Sequence, residues 1–259
     1  VLRGRCKYVD TKGFEASMAK QREDARKAWS GSGDAATEAV WFGLRERTGA
    51  TEFLGYTTEQ AEGIVTGIVV EKTLVDAAEL GAEASVIVSQ TPFYGESGGQ
   101  VGDTGLLFTS DGAEFVVRDT QKVLGDMHVH IGTLRKGCLS VGDAVELHVE
   151  GGRRARLRAN HSVTHLMHEA LRRALGDHVT QKGSLVAPDY LRFDFSHPQV
   201  VNAEELDAIE TAVNDRIRTN AEVSSRLMTL EDAVDAGALA CTRRAGELEP
   251  ARSLEALLR

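Results

Sequence analysis

Cysteine is scarce in this sequence, and long hydrophobic runs are absent from it. The three cysteines, Cys6, Cys138 and Cys241, are widely spaced, odd in number and without a CxxC pair. This pattern excludes a disulfide framework and indicates a reducing compartment. No apolar stretch approaches the length of a membrane span, and the opening residues VLRGRCKYVD have no hydrophobic targeting core. We therefore expect a cytoplasmic protein that makes no contact with a membrane.

Basic residues are also in deficit, because 30 lysines and arginines face 39 aspartates and glutamates, for a formal net charge of −9. This balance argues against indiscriminate nucleic-acid binding. It does not exclude a local basic groove, since recognition depends on where the charge lies. A length of 259 residues with 42% hydrophobic residues suffices for one large domain or two small ones. The first residue is Val1 rather than methionine, so we expect an internal fragment of a longer protein.

Two kinds of hydrophobic spacing follow each other along the first 150 residues. Residues 10–48 have helical spacing, interrupted by Gly-Ser-Gly at 31–33, which predicts two helices. From about residue 51 to 150 the segments are β-branched, partly alternating and separated by short turns rich in glycine and aspartate. Such closely spaced strands are typical of a small antiparallel β-barrel. The predicted strands are GIVTGIVVEKTL, ASVIVSQT, EFVVRDTQKV, MHVHIGTL and AVELHVE.

Helices and strands mix in the second part of the chain. We predict a long helix over residues 153–175, a hairpin that pairs SLVA with LRFDF across Pro188 and Asp189, and then a helix over residues 203–219. VSSRLMTL predicts a further strand and LEDAVDAGAL a short helix. The fold class is therefore α+β, with a helical N-terminal segment, a small antiparallel β-barrel and an α/β domain whose long helix packs against an antiparallel sheet. The apolar stripe of the later helix consists of Leu206, Ile209, Val213 and Ile217.

His161 and His165 are four residues apart in the long predicted helix. A four-residue step turns the helix by about 400°, so both imidazoles project from nearly the same face, one turn apart. A helix offers two nitrogen ligands to one metal ion in this way, although histidines at this spacing are also often solvated surface residues. His168 lies close to the same line. We expect the helix to bury its other side, which carries Val163, Leu166, Met167, Ala170 and Ala174.

An arginine run, Arg153, Arg154, Arg156 and Arg158, precedes the histidine pair. Four guanidinium groups that lead into two imidazoles suit an anionic substrate approaching a metal. A charge run by itself is usually only a solvated face.

The segment TPFYGESGGQVGDTG, from Thr91 to Gly105, holds five glycines within eleven residues. Glycines let a backbone approach a ligand closely and expose its N–H groups. The segment matches neither a Walker loop nor a dinucleotide fingerprint, and a glycine-rich barrel loop without a ligand also explains its composition. Gln100 and Thr91 carry uncharged hydrogen-bonding groups that can orient a small polar substrate.

Several long motifs occur together in this sequence: TPFYGESGGQVGDTG, NHSVTHLMHEALRRALGDHVTQKGS and LRFDFSH, with GFEASMAKQREDARKAW and VWFGLRERTGATEFLGY before them. In this order they closely resemble the alanyl-tRNA synthetase family, in its editing region and the end of the helical tRNA-recognition region before it. The resemblance covers about residues 1–240. It implies the helical end of the tRNA-recognition region at 1–50, a β-barrel subdomain at 51–150, an editing core at 151–240 and a divergent, possibly frame-shifted tail at 241–259.

The resemblance implies a zinc site that uses two histidines of the HxxxH helix together with a cysteine and a histidine from a later Cys-Gly-Gly-Thr-His segment. His161 and His165 would be the first two ligands. Gln100 and Thr91 would line the pocket, with Thr91 a partner for the hydroxyl of serine. By the same resemblance, Gln181, Gly183 and Ser184 would form another wall, and phosphates near the 3′ end of the tRNA would contact Arg154, Arg156 and Arg158.

The implied activity is hydrolysis of tRNA-Ala mis-acylated with serine or glycine. A pocket for alanine rejects such near-isosteres by only about 1–3 kcal/mol, so a second, hydrolytic site is needed. Zinc would position the ester and polarise it or a water. The complete synthetase would attach alanine to tRNA with ATP and Mg²⁺ in an aminoacylation core outside this region.

The Cys-Gly-Gly-Thr-His segment of the family is absent from this sequence, and Cys241 lacks the residues that would follow the family cysteine. With two ligands missing we expect weak zinc binding and weak or absent editing. Two alternatives stay open: a non-catalytic tRNA-binding module, and a free-standing metallohydrolase unrelated to tRNA. The sequence does not predict the oligomeric state.

Overall fold

The computed structural model describes residues 35–221, together with residues 229 and 232. The predicted helix before residue 31 and the tail at 241–259 lie outside this part of the chain. So do the segments VSSRLMTL and LEDAVDAGAL, apart from Thr229 and Asp232. The domain boundaries therefore stay a prediction.

Three helices and thirteen strands make up the described residues, as predicted for an α+β chain. The helices are α1 (Ala35–Thr48), α2 (Gly151–Leu175) and α3 (Ala203–Thr219). The strands are β1 (Glu52–Phe53), β2 (Gln60–Val70), β3 (Thr73–Val75), β4 (Ala77–Ala78), β5 (Glu83–Val88), β6 (Gln90–Thr91), β7 (Gly105–Thr109), β8 (Glu114–Val123), β9 (Met127–Lys136), β10 (Leu139–Ser140), β11 (Ala144–Val149), β12 (Gln181–Val186) and β13 (Leu191–Phe195).

Six antiparallel strands close into a barrel in the order β11-β7-β8-β9-β5-β2, and β2 pairs back with β11. The predicted small barrel is thus confirmed. Strand β7, GLLFT, was not predicted, because it is short and directly follows the glycine-rich segment. The barrel core consists of alternating inward side chains, among them Ile68, Val86, Leu107, Phe115, Leu134 and Leu147, with Phe93 added from a loop.

Helix α1 covers part of the barrel's outer surface. Leu44 is buried in a second apolar cluster with Val69, Ile87, Met127 and Val129. The end of the helix is tied to the barrel by Arg45, whose Nε and Nη2 donate to the carboxylate of Asp126 at 2.8 and 2.6 Å. This hydrogen-bonded pairing lowers the pKa of Asp126.

The long helix α2, the β12–β13 hairpin and α3 share a third, smaller cluster of Ala170, Leu171, Val179 and Ile209. The predicted hairpin pairing is confirmed, since Ser184 lies opposite Phe193. The bounds of α3 match the predicted 203–219, and Asn202 and Glu205 form a capping box at its start. None of the helices in these described ranges is long and apolar enough to cross a bilayer.

The buried side of α2 differs from the predicted one. Its buried residues include Leu157, Thr164 and His168, which lie on the histidine side of the helix, whereas Ala174 is exposed. The prediction assumed that apolar side chains alone mark the buried side. It was right for Ala170, which is buried, but wrong for the histidine side, because barrel loops and the hairpin cover polar side chains of α2 as well. His161 and His165 are half-buried at this interface.

Candidate functional site

The glycine-rich segment leaves the barrel after β6 and pairs with the hairpin. Gln100 forms a parallel bridge with Val186, and the N–H of Val101 donates to the carbonyl oxygen of Val186 at 3.1 Å. The N–H of Val186 donates in turn to the carbonyl oxygen of Gly99 at 2.7 Å. Main-chain hydrogen bonds therefore hold the segment against β12, beside Ser184.

Glycine is required where the segment packs on other backbone. Gly99 has a φ of +88°, and a Cβ there would overlap the carbonyl oxygen of Ser184. A Cβ at Gly102 would likewise overlap the carbonyl oxygen of Thr120. The expected role of these glycines, close approach to a ligand, is thus replaced by close approach to protein backbone. The segment's N–H groups that donate to carbonyls of this chain belong to Glu96, Ser97, Gln100, Val101 and Asp103.

Gln100 joins this segment to the long helix. Its side chain is 6% exposed, and its Oε1 lies 2.6 Å from Nδ1 of His161. An amide oxygen only accepts, so Nδ1 of His161 carries the proton and Nε2 holds a lone pair when the ring is neutral. The ring of His165 stacks on that of His161, with centroids 5.2 Å apart and planes 20° apart. The two predicted ligand residues and Gln100 therefore lie together.

The histidine pair meets part of what a zinc ion requires. Zinc-ligating histidines usually donate their second ring N–H to an oxygen acceptor, as His161 donates to Gln100. Zinc sites in proteins, however, use at least three protein ligands. Within the residues that the structure describes, no group of three or more histidines, cysteines, aspartates or glutamates is arranged to hold a metal. His161 and His165 thus fit two positions of an incomplete ligand set.

Thr91 lies inside the barrel rather than beside the histidine pair. It is fully buried, its Oγ1 is 2.8 Å from Nε2 of His130, and it accepts from the N–H of Phe93 at 3.1 Å. His130 Nδ1 lies 3.0 Å from the carbonyl oxygen of Val86, to which it donates, so Nε2 accepts from Thr91. Burial lowers the pKa of His130 to about 3. Thr91 thus has its hydroxyl engaged by His130 in this structure, and its expected role toward a substrate hydroxyl stays a prediction.

Arg154 is buried instead of facing solvent. Its Nε donates to Asp103 at 2.9 Å, its Nη2 to the same carboxylate and to the carbonyl oxygen of Pro92 at 2.7 Å, and its Nη1 to that of Gly55 at 3.1 Å. Arg153 donates to the carbonyl oxygen of Gly102 at 2.8 Å. Both side chains fasten α2 to the barrel, so the phosphate contact predicted for Arg154 does not fit its burial.

The other two arginines of the run are exposed, on different sides of α2. Arg158 follows Arg154 by four residues and precedes His165 by seven, so it projects from the histidine side. Arg156 is turned by about 200° from Arg154 and lies near the hairpin turn, with its Nε 3.9 Å from Oδ1 of Asp189. Phosphate binding stays a prediction for both, and only Arg158 shares the side of the imidazoles.

The three predicted wall residues of the hairpin differ in position. Ser184 lies against Gly99. Gly183 pairs with Asp194, whose Oδ2 lies 2.7 Å from the place of a Cβ at Gly183. Gln181 begins β12, three residues before Ser184, which is about 10 Å along a strand. The structure therefore brings Ser184 directly to the glycine-rich segment, and the wall roles of Gly183 and Gln181 stay predictions.

Asn160 and His168 also lie at this interface. The sequence did not single out Asn160, whereas His168 was noted as lying close to the line of His161 and His165. The Nδ2 of Asn160 donates to the carbonyl oxygen of Ala187 at 2.7 Å and so holds the hairpin turn on α2. His168 is buried beside Phe193, its Nε2 has no hydrogen-bond partner, and burial lowers its pKa. The sequence could have pointed to Asn160 through its position directly before His161.

Comparison with known proteins supports the resemblance. The family described as tRNA synthetases class II (A) matches residues 1–153. Three relatives named alanine–tRNA ligase align with 239 residues, or 92% of this chain: those of Parvibaculum lavamentivorans (62% identical), Rhodopseudomonas palustris (57%) and Chelativorans sp. (53%). The chain spans 27% of the length of each of these curated relatives. The match of the family over more than half of the chain establishes that this protein belongs to the class II (A) tRNA synthetase family.

Proposed function

We propose that this chain is the editing region of an alanine–tRNA ligase and that it hydrolyses the ester of tRNA-Ala mis-acylated with serine or glycine, at a low rate. The observation that carries the proposal is the 2.6 Å hydrogen bond between Gln100 and His161. It joins the glycine-rich segment to the HxxxH helix, and both belong to the motifs of the sequence that carry the family resemblance. The similarity to alanine–tRNA ligases over 92% of the chain supports the same assignment.

Each residue of the site has a distinct role in this proposal. Gln100 fixes the ring and tautomer of His161, so that Nε2 presents its lone pair. His161 and His165 would hold a zinc ion, which would supply a Lewis acid for an ester carbonyl or a water. Ser184 and the main chain of Gly99 bound the site on the hairpin side. Arg158 supplies the exposed positive charge on the same side of α2 for a phosphate.

The low rate follows from the ligand set within residues 35–221, where His161 and His165 have no third protein ligand. Two imidazoles bind zinc far more weakly than a complete set of three or four ligands, because each ligand contributes to affinity. We therefore expect most protein molecules to have no zinc bound at low micromolar concentrations of the metal. The complete protein, as the name of its relatives states, would attach alanine to tRNA, using ATP and Mg²⁺ outside this region.

A non-catalytic tRNA-binding module is the second candidate. The observation that favours it is the same pair of histidines without a third ligand among the described residues. Under this alternative the chain binds tRNA-Ala but leaves the ester intact.

Deacylation of seryl-tRNA-Ala and glycyl-tRNA-Ala by the 259-residue chain, with and without added zinc, tests the proposal; alanyl-tRNA-Ala serves as the control substrate. We expect slow hydrolysis of the two mis-acylated tRNAs that rises with zinc and is lost in His161→Ala and Gln100→Ala. His148→Ala is the matched control, since His148 lies on barrel strand β11. Binding of tRNA without hydrolysis would favour the second candidate. Hydrolysis that persists in His161→Ala would contradict the assigned site.

A further inference from the structure

A second pair of histidines, His178 and His197, lies at the end of the β12–β13 hairpin that is opposite its turn. Nε2 of His178 is 2.9 Å from Nδ1 of His197, and the two rings stack with their centroids 5.1 Å apart. His178 is exposed and His197 is half-buried, so solvent reaches the pair. Helix α2 ends at Leu175, about 15 Å along its axis beyond His165, and His178 follows three residues later. This pair is therefore separate from the candidate site at His161 and His165.

The backbone around His178 is held in place on both sides. Arg172 Nη1 donates to the carbonyl oxygens of Asp177 and Val179, at 2.7 and 3.1 Å, and Val179 is fully buried. A Cβ at Gly176 would lie 3.0 Å from Nδ1 of His178, so the imidazole packs directly against this glycine. The position of the first ring therefore depends on contacts that do not involve the second ring.

His197 is held beside His178 by the last contacts of the hairpin. The N–H of Ser196 donates to the carbonyl oxygen of Thr180 at 3.0 Å, and the hydroxyl oxygens of these two residues are 2.7 Å apart. Thr180 follows His178 by two residues, and Ser196 directly precedes His197. Two separate segments of the chain thus bring two imidazoles together before any ligand binds, which lowers the entropy cost of binding.

The separation of the two nitrogens fits a particular coordination geometry. Neutral imidazole nitrogens bind copper, nickel and zinc at about 2.0 Å. Two such bonds at about 90° place their nitrogens about 2.8 Å apart, whereas the tetrahedral angle of zinc places them about 3.3 Å apart. The 2.9 Å between His178 and His197 is closer to the first value. Copper(II) and nickel(II) prefer square-planar or tetragonal sites of nitrogen and oxygen ligands, and copper(II) binds more tightly.

We propose that His178 and His197 form a site for one copper(II) ion, with water at the remaining positions. The ion replaces the hydrogen that the two rings share, and that proton moves to the other nitrogen of its own ring, so both neutral rings coordinate through lone pairs. Because His178 is exposed, its ring can turn about the Cβ–Cγ bond until both lone pairs meet at the ion. The ion then ties the loop after α2 to the end of β13. This inference is independent of the proposed function.

Copper(II) alone is the probe in the test of this site. The parent protein for the titrations is the 259-residue chain with His161→Ala and His165→Ala, which removes the other histidine pair. Its thiols are alkylated beforehand, so that copper neither binds nor oxidises them. We expect calorimetry to give one copper(II) per chain and electron paramagnetic resonance to show two nitrogen ligands.

Single substitutions in this parent identify the ligands. His178→Ala and His197→Ala should each weaken copper binding about tenfold or more, because each removes one of two protein ligands. His148→Ala is the matched control, since His148 is a single histidine of β11 whose side chain is 38% exposed. Its copper affinity should equal that of the parent.

Melting curves provide a second measurement. Saturating copper(II) should raise the melting temperature of the parent, because the ion binds the folded chain, and should leave that of His178→Ala unchanged. Without copper, His178→Ala should melt close to the parent, since the side chain is exposed. Equal copper affinity in the parent and in His178→Ala would overturn the site, and so would tighter binding of zinc than of copper.

Discussion

The barrel and the region from α2 to α3 bury very different amounts of apolar side chain. Among the described residues, fifteen buried apolar side chains form one cluster inside the barrel, whereas the cluster between α2, the hairpin and α3 contains four. The smaller region is instead fixed by polar contacts to the barrel: Arg154 with Asp103, Gln100 with His161, and the bridge to Val186. The barrel therefore acts as a stable base, and directional bonds position the helix that carries the candidate site.

Acidification should cause the largest loss of unfolding free energy, and it should act through buried histidines of the barrel. Burial lowers the pKa of His128 to about 4 and of His130 to about 3, both below the ordinary 6.5. Their neutral forms stabilise the fold fully above pH 6.5. As the pH falls toward 4, the unfolded chain takes up protons that the folded chain does not, and stability falls by about 1.4 kcal/mol per pH unit for each histidine. Urea unfolding followed by tryptophan fluorescence should show a loss of roughly 5 kcal/mol between pH 6.5 and 4.5.

His128→Phe provides the control for this effect. His128 stacks on Phe53 with the ring planes 4° apart, and its buried Nδ1 has no hydrogen-bond partner. Phenylalanine keeps the stacking and removes the titrating group, so the pH dependence should fall by about half. An unchanged slope would assign the acid sensitivity to other groups.

Breaking the buried ion pair should have the next largest effect, and it tests how the two regions are joined. Arg154→Ala leaves the carboxylate of Asp103 buried without its guanidinium, which costs about 3–5 kcal/mol of unfolding free energy. Arg153→Ala, which loses one hydrogen bond to Gly102, should cost about 1 kcal/mol. The double variant Arg154→Leu/Asp103→Leu should recover much of the loss. A loss of unfolding free energy below about 1 kcal/mol in Arg154→Ala would mean that other contacts attach α2 to the barrel.

Removing Gln100 should have a smaller effect that is confined to the site. Without the acceptor for its Nδ1–H, His161 loses its fixed orientation, and zinc affinity should fall about 10- to 100-fold in Gln100→Ala. Competition with a chromogenic chelator measures the affinity. Gln90→Ala is the control, since Gln90 donates to the carbonyl oxygen of Glu62 on the barrel and should leave zinc binding unchanged. Equal loss in both variants would point to general destabilisation.

The smallest effect is expected for Leu206 on α3, which shares one apolar stripe with Ile209 but differs from it in exposure. Leu206 is 54% exposed and Ile209 is 7% exposed. Leu206→Ser should change the unfolding free energy by about 0.5 kcal/mol or less, whereas Ile209→Ala should cost about 2–5 kcal/mol. Similar costs in urea unfolding would indicate that Leu206 is covered in solution.

Local patterns in the sequence predicted the elements well and their burial less well. The alternation of β-branched residues located five of the six barrel strands, and the helical stripe located α3. Strand β7 was missed because five residues after a glycine-rich segment give little periodicity. The barrel strands and α3 were predicted correctly because each depends on a pattern repeated along one element.

The contacts that the sequence did not predict involve partners that are distant along the chain. Arg154 was assigned to phosphate because its neighbours are arginines, but its partner Asp103 is 51 residues away. Thr91 was assigned to the pocket with Gln100, yet its partner His130 lies in the barrel core, 39 residues away. Spacing along one helix or strand cannot identify such partners, because they depend on the packing of separate elements.

The bridge between Gln100 and Val186 also sets the strand alignment of the whole site. Because neighbouring residues of a strand face opposite sides, a slip of one position along β12 would turn Ser184 away from Gly99 and present a neighbour in its stead. After such a slip the main-chain hydrogen bonds could still form, but the side chains of the candidate site would no longer face one another. Insertions or deletions in β12 should therefore be tolerated less well than substitutions of its side chains.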